Sequence, residues 1–91
     1  MRVTKGHLEA QVDIINRLFG YDDPKWDTVG AVRLSCAYGG YGVYRVLNAS
    51  GGIADLMGGH LTAREASQFL SGMVAALRQV ALQDIYTYIT H

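Results

Sequence analysis

Two alternating segments on either side of a glycine pair constrain the fold of this chain more than any other feature. Residues 30–38 and 41–48 alternate in character and flank Gly39-Gly40. Such alternation is typical of strands with one buried face. A two-residue Gly-Gly loop suits a type I′ hairpin turn, in which both central residues have positive φ. The sequence therefore predicts an antiparallel hairpin closed by Gly39-Gly40.

This turn also sets a pairing register for the hairpin. Three cross-strand pairs follow, namely Tyr38 with Tyr41, Cys36 with Val43, and Leu34 with Arg45. Because strand side chains alternate between two faces, one face collects the larger apolar residues and is predicted to meet the core. This core face comprises Val32, Leu34, Cys36, Tyr38, Tyr41, Val43 and Leu47. The outer face comprises Ala31, Arg33, Ser35, Ala37, Gly42, Tyr44, Val46 and Asn48.

Arg45 is the one charged residue on the predicted core face. Either an acid of the first helix, such as Asp13 or Glu9, pairs with its guanidinium, or the register differs from the one above. Cys36 lies on the same face and is the only cysteine of the chain. We expect it to be a small buried hydrophobe and not a nucleophile. A single cysteine also excludes an internal disulfide and zinc sites built on two or four cysteines.

Capping signals delimit two helices. Residues 4–19 carry apolar residues at helical spacing, with Thr4 as the expected N-cap and Gly20 as the expected C-terminal glycine. Further along, Thr62 and Glu65 match the S/T-x-x-E capping box, which predicts the start of the second helix.

A short third strand is predicted at residues 52–57, which completes the order α-β-β-β-α. We expect an α+β fold, with a three-stranded antiparallel sheet and helices on one face. A last helix from 63 to about 88 would be roughly 39 Å long, longer than a small domain can cover. We expect one domain, residues 1–79, and a helical extension, residues 80–91, through which the chain forms a homo-oligomer. A break near 79–84, with the end folded back, is the alternative.

Charge and composition exclude several classes of function. Eight basic and eight acidic residues give zero net charge, which disfavours nucleic-acid binding. Apolar residues make up 49% of the chain, which argues against disorder. No long apolar run occurs near the N-terminus, so we expect no signal peptide, no membrane span and a cytoplasmic location. The histidines are scattered, and no catalytic constellation, metal site or cofactor site is predicted.

The richest cluster of candidate binding residues lies in the hairpin. It comprises Tyr38, Tyr41, Tyr44, Arg33 and Arg45. Tyrosine with arginine is suited to stacking on nucleobases and is also enriched in protein–protein hot spots. A purely structural interpretation is that Tyr38 and Tyr41 form a cross-strand pair that seals the hairpin end.

His60 is the histidine of most interest, because it stands between a glycine pair and a helix. The segment "MGGH", residues 57–60, could cradle an anion, since helix N-termini present free N–H groups. A loop that needs positive φ at its glycines explains the same segment. His60 could equally be a loop residue that packs on the capping box.

Two resemblances bear on this chain. The element order is that of the double-stranded RNA-binding domain, whose basic cluster at the last helix is reduced here to Arg64 within "HLTAREA", so the resemblance implies the fold shape alone. The segments "TKGHLEAQVDIINRLFG", "AYGGYGVYRVLNASGGI" and "GHLTAREASQFLSGMVAAL" resemble a group of small proteins of tailed bacteriophages and prophages. That resemblance, over roughly residues 4–77, implies an accessory protein expressed in bacterial cytoplasm and supplies no site residues.

The sequence therefore favours a non-enzymatic phage accessory protein that binds a host or phage protein, for example to block a defence or regulatory complex. An oligomeric binder of small ligands such as nucleotides is the first alternative, with Tyr and Arg stacking and "GGH" holding phosphate. A nucleic-acid-binding domain, suggested by the topology, is the second.

Overall fold

A computed structural model describes residues 2–25, 28–37 and 39–90, with the backbone alone at residue 81 and residues 83–90. Its elements in chain order are α1 (Lys5–Leu18), β1 (Val32–Ala37), β2 (Gly40–Val46), β3 (Ile53–Asp55) and α2 (Ala63–Thr90). The strands form one antiparallel sheet in the order β1-β2-β3. This confirms the predicted α+β fold with the order α-β-β-β-α.

The core lies between the sheet and the two helices. Its buried side chains come from every layer and are Leu8, Val12 and Ile15 of α1, Val32 and Val43 of the sheet, and Ala66, Leu70 and Val74 of α2. Leu8, Ile15, Val32, Ala66 and Leu70 are fully buried. Burial of such a cluster supplies most of the free energy that holds two helices against one face of a sheet.

The predicted capping residues of α1 are confirmed. Thr4 Oγ1 accepts a hydrogen bond from the His7 N–H at 3.2 Å. After the helix, Gly20 has a φ of +94°, and its N–H donates to the Arg17 carbonyl at 3.0 Å. The Tyr21 N–H donates to the Asn16 carbonyl at 2.8 Å, which completes a Schellman motif. Local chemistry therefore determines both ends of α1.

The hairpin register differs from the prediction by two residues. Leu34 pairs with Val43, Cys36 pairs with Tyr41, and Gly40 lies within β2 opposite Ala37. The Gly39-Gly40 turn was therefore the wrong choice, although Gly39 does have a positive φ of +74°. Tyr38, which the prediction paired with Tyr41, lies outside the described residues.

Gly40 is needed for a close approach and not for the turn. A Cβ atom at this position would lie 3.0 Å from the Leu61 carbonyl oxygen, which is tighter than ordinary contact. Leu61 reaches this point because it bridges to Tyr41, with hydrogen bonds of 2.8 Å in both directions. The presence of glycine at position 40 is thus explained by its contact with Leu61, which is distant in sequence, and not by a turn.

A shift of two residues leaves each side chain on its predicted face. Val32 and Val43 are buried, while Leu34 and Tyr41 pack against the core. Four residues depart from the predicted burial. Cys36 is exposed and Leu47 is 55% exposed, whereas Ala31 and Val46, which were assigned to the outer face, are buried. Cys36 is the penultimate residue of β1, and Leu47 lies just beyond the end of β2. Cys36 is therefore not the buried hydrophobe that its alternation suggested.

The last helix begins and continues as the sequence indicates. Thr62 Oγ1 accepts from the Glu65 N–H at 3.2 Å, and Glu65 Oε1 accepts from the Thr62 N–H at 3.2 Å, which confirms the capping box. α2 then runs unbroken over 28 residues, about 42 Å, so the alternative of a break near 79–84 is wrong. Val80 is 58% exposed and Leu82 is 61% exposed. Within the part of the chain that is described, no helix has the length and hydropathy required to span a bilayer.

Candidate functional site

The outer face of the sheet carries the first candidate site, which extends over all three strands. A hollow of about 90 Å³ lies there, and its lining includes Ser35, Tyr44, Ile53, Asp55 and His60. Ile53 is 55% exposed, a large fraction for a branched apolar side chain in a strand. We define this set of five residues as the outer-face site.

Gly42 forms the floor of the outer-face site. A Cβ atom on it would lie 3.4 Å from both the Gly59 carbonyl oxygen and His60 Nε2. The glycine therefore lets His60 lie flat across β2, where its Nε2 is 3.2 Å from Ser35 Oγ. Which of the two atoms donates depends on the imidazole tautomer. His60 therefore lies against Gly42 and Ser35 on the outer face of the sheet.

The loop before His60 is held by Asp55. Its Oδ1 accepts hydrogen bonds from the N–H groups of Met57 and Gly58, both at 3.0 Å. Gly58 has a φ of +76° and Gly59 a φ of +135°, so the glycines serve the backbone conformation, as the second interpretation of this loop predicted. Because a carboxylate already occupies two N–H groups of "MGGH", these groups are not available to a phosphate.

The structure separates the residues that the sequence grouped into one cluster. Tyr44 and His60 line the outer-face site. Arg33 pairs with Tyr44 in the ladder, but its side chain lines a different cavity, between α1 and β1. Tyr41 packs against the core. Tyr38 lies outside the described residues.

Arg45 is half-buried on the helix-covered face and is satisfied without an acid. Its Nε donates to the Gly30 carbonyl at 2.9 Å, and its guanidinium carbon lies 4.8 Å from the centroid of the Phe19 ring. Among the described residues it forms no ion pair, so the predicted partners Asp13 and Glu9 were wrong. A carbonyl and an aromatic face together stabilise a partly buried guanidinium. Arg45 thus joins the end of α1 to the sheet.

A second cavity, of about 480 Å³, lies between α1, the loop after it and β1. We call it the acidic cleft, because its ionisable lining residues are Glu9, Asp13, Asp22, Asp23, Arg17, Arg33 and Tyr21. Sequence reasoning missed this site, because none of Asp22, Asp23, Glu9 and Asp13 was selected as a binding residue. Only the tertiary contacts bring the two pairs together. Among the described residues no group of three or more His, Cys, Asp or Glu is placed to hold a metal ion.

Comparison of this chain with protein-family models, with curated proteins and with solved structures found no match. The resemblances to phage accessory proteins and to the double-stranded RNA-binding domain therefore stay predictions. Any functional argument must begin from the outer-face site and the acidic cleft themselves.

Proposed function

We propose that this chain is a protein-binding module without catalytic activity, and that it contacts its partner through the outer-face site. The observation that carries the proposal is the 55% exposure of Ile53 beside Tyr44, on a sheet face that the helices leave open. Interface hot spots combine an aromatic anchor with apolar neighbours and a few polar groups at the rim. Tyr44, Ile53 and the Ser35–His60 pair have this composition.

The size of the hollow favours a protein surface over a small ligand. Pockets that enclose small molecules have volumes of about 300–1,000 Å³, whereas this hollow has about 90 Å³. The Asp55 carboxylate in its lining would also repel a phosphate. Of the described residues that line it, none is lysine or arginine, so the electrostatic attraction that nucleic-acid binding needs has no source here.

The phage resemblance suggests where the partner is found. A small accessory protein of this kind would act on a host or phage protein in an infected bacterium, for example by blocking a defence or regulatory complex. Self-association through the exposed end of α2 is part of the same proposal and is supported by Val80 and Leu82. It would place two outer-face sites on one assembly and strengthen binding through avidity.

The test compares two equally exposed apolar residues, one in the outer-face site and one outside it. Ile53→Ser and Leu47→Ser make the same kind of change at residues that are both 55% exposed, but only Ile53 lines the site. Tagged chain carrying either change, or Tyr44→Ala, is used to capture partners from bacterial lysate. We expect Ile53→Ser and Tyr44→Ala each to weaken a captured interaction by about tenfold or more, as for hot-spot residues, and Leu47→Ser to preserve it.

Two outcomes would contradict the proposal. If the wild-type chain captures only itself from host and phage lysates, the chain is not a protein-binding module of this kind. If Ile53→Ser and Tyr44→Ala retain a partner as well as Leu47→Ser does, the partner binds elsewhere. Circular dichroism of each variant establishes that a lost interaction is not a lost fold.

A further inference from the structure

β1 is an edge strand, and only one side of it is paired with another strand. The Val46 N–H donates to the Ala31 carbonyl at 2.9 Å. In an antiparallel ladder, alternate residues bond to the neighbouring strand, so every second residue from Ala31 onward faces β2. The remaining residues direct their N–H and C=O groups to the free edge, and they are Val32, Leu34 and Cys36.

A side chain from α1 occupies the outward backbone groups of Val32, the first of these three residues. Asn16 of α1 is 2% exposed, and its Oδ1 accepts from the Val32 N–H at 2.8 Å. Its Nδ2 donates to the Val32 carbonyl at 3.0 Å. The buried amide of Asn16 thus makes the two hydrogen bonds that a residue of a neighbouring strand would make. No further strand can pair with β1 at Val32.

The edge beyond Val32 is open. Among the described residues, no group bonds to the outward N–H or C=O of Leu34 or of Cys36. Cys36 is exposed, as expected of a residue on an uncovered strand edge. Unpaired edge groups of this kind are a template for the addition of another strand, and proteins that do not use such an edge protect it.

The acidic cleft lies directly beside this open edge. Asn16, Arg33 and Leu34 belong to its lining, so a strand added to β1 would border it. The cleft carries four carboxylates against two guanidinium groups. The Lys5 ammonium lies 3.9 Å from the Glu9 carboxylate, so a small surplus of negative charge remains, on the side of Asp13, Asp22 and Asp23. Arg33 Nε is buried there without a hydrogen-bond partner among the described residues. Charge complementarity therefore favours an added strand that carries lysine or arginine.

We propose that an extended basic peptide segment binds this chain as a fourth strand on the free edge of β1. Its backbone pairs with Leu34 and Cys36, and its alternate basic side chains reach Asp13 and the other carboxylates of the acidic cleft. Side chains of a strand alternate in direction, so a sequence that alternates basic with small or apolar residues fits best. This interaction is separate from the outer-face site, because the two surfaces depend on different residues.

The first probe is a short fluorescent peptide that alternates lysine and valine, measured by fluorescence anisotropy with the full chain. We expect saturable binding that weakens as salt is raised, because surface charge attraction is screened. A peptide that alternates glutamate and valine should not bind. Methylation of alternate backbone nitrogens gives a sharper control: methylation of the N–H groups that face β1 abolishes binding, and methylation of the other set preserves it.

The protein variants test the edge and the charge separately. Cys36→Pro removes the outward N–H and is compatible with an edge strand, whereas Cys36→Ser keeps that N–H. We expect Cys36→Pro to weaken peptide binding by about tenfold, the effect of losing one or two hydrogen bonds, and Cys36→Ser to change it little. Asp13→Asn should weaken binding and reduce its salt dependence. Tyr44→Ala and Ile53→Ser should bind the peptide normally.

Three outcomes would overturn the proposal. One is absence of binding by the lysine–valine peptide to the wild-type chain. Another is equal binding of the two N-methylated peptides, a result that does not depend on whether Cys36→Pro folds. The third is a dimer of the full chain that Cys36→Pro dissociates while no peptide binds, which would assign the edge to a second copy of this chain.

Discussion

The two halves of α2 form one continuous helix and differ in what covers them. In the first half, Ala66 and Leu70 are fully buried and Val74 is 9% exposed, because α1 and the sheet lie opposite. In the second half, Val80 is 58% exposed and Leu82 is 61% exposed. The spacing of apolar residues continues across both halves. Helical periodicity therefore reveals an apolar stripe, but it does not reveal how far the rest of the fold covers that stripe.

The largest effect is expected where the same substitution is made in each half. Leu70→Ala removes a fully buried side chain and should lower the free energy of unfolding by about 2–5 kcal/mol. Leu82→Ala changes a side chain that is exposed within one chain, so it should alter the free energy of unfolding by no more than about 0.5 kcal/mol at protein concentrations low enough to keep the chain monomeric. Urea unfolding followed by circular dichroism measures both.

A large decrease in the free energy of unfolding for Leu82→Ala would contradict the difference in burial between the two halves of α2. It would mean that another surface covers Leu82 in solution. Repeating the measurement at several protein concentrations then shows whether that surface belongs to a second copy, because the stability of an oligomer depends on concentration.

A smaller gain is expected from Gly72→Ala in the packed half of α2. Gly72 is exposed, and an added Cβ would meet nothing within 4 Å. Alanine is the better helix former, so the free energy of unfolding should rise by about 0.5–1 kcal/mol in the same urea assay.

Gly51→Ala is the matched control for this prediction. An added Cβ at Gly51 also meets nothing within 4 Å, but its φ is +97°, so alanine should destabilise the chain by about 1 kcal/mol or more. If Gly72→Ala does not raise stability, the first half of α2 does not contribute to the cooperative folding unit as its burial indicates.

The smallest effect on stability is expected from ending the chain at Gln79. Because Val80 and Leu82 are largely exposed within one chain, the truncated and full chains should unfold with free energies within about 0.5 kcal/mol of each other at protein concentrations where both are monomeric. Light scattering of both chains should give an oligomer for the full length and a folded monomer for the truncation. Equal monomeric masses for both would contradict assembly through α2 and leave its second half as a solvent-exposed helix.

The hairpin shows which features of this fold could be predicted and which could not. Alternation predicted the burial of Val32 and Val43 correctly, because a register shift of two residues does not exchange the faces, but it failed for Ala31 and Val46, which are buried. The predicted register was wrong, because the two glycines of the pair have different roles and do not form the turn together. Gly39 provides a positive φ, whereas Gly40 makes room for Leu61, a residue about twenty positions away.

The candidate sites were harder to predict than the fold. Tyr44 and His60 were both selected, and they do meet, because Gly42 allows the loop before α2 to cross β2. Arg33 and Arg45 do not share a site. Arg33, on the edge strand, lines the acidic cleft, whereas Arg45, on the central strand, bonds to the Gly30 carbonyl. Asn16 was not selected at all: a polar residue in a helical pattern gives no indication that it will close a strand edge.

Local chemistry alone determined the order of elements, the helix starts at Thr4 and Thr62, the turn at Gly20, and the faces of the strands. These features depend on residues within about four positions of each other, where backbone sterics and capping hydrogen bonds decide the outcome. Only the tertiary structure decided the hairpin register, the partners of Arg45 and the position of the acidic cleft. Each of these depends on contacts between segments distant in sequence, and a pattern of residue types does not specify how such segments meet.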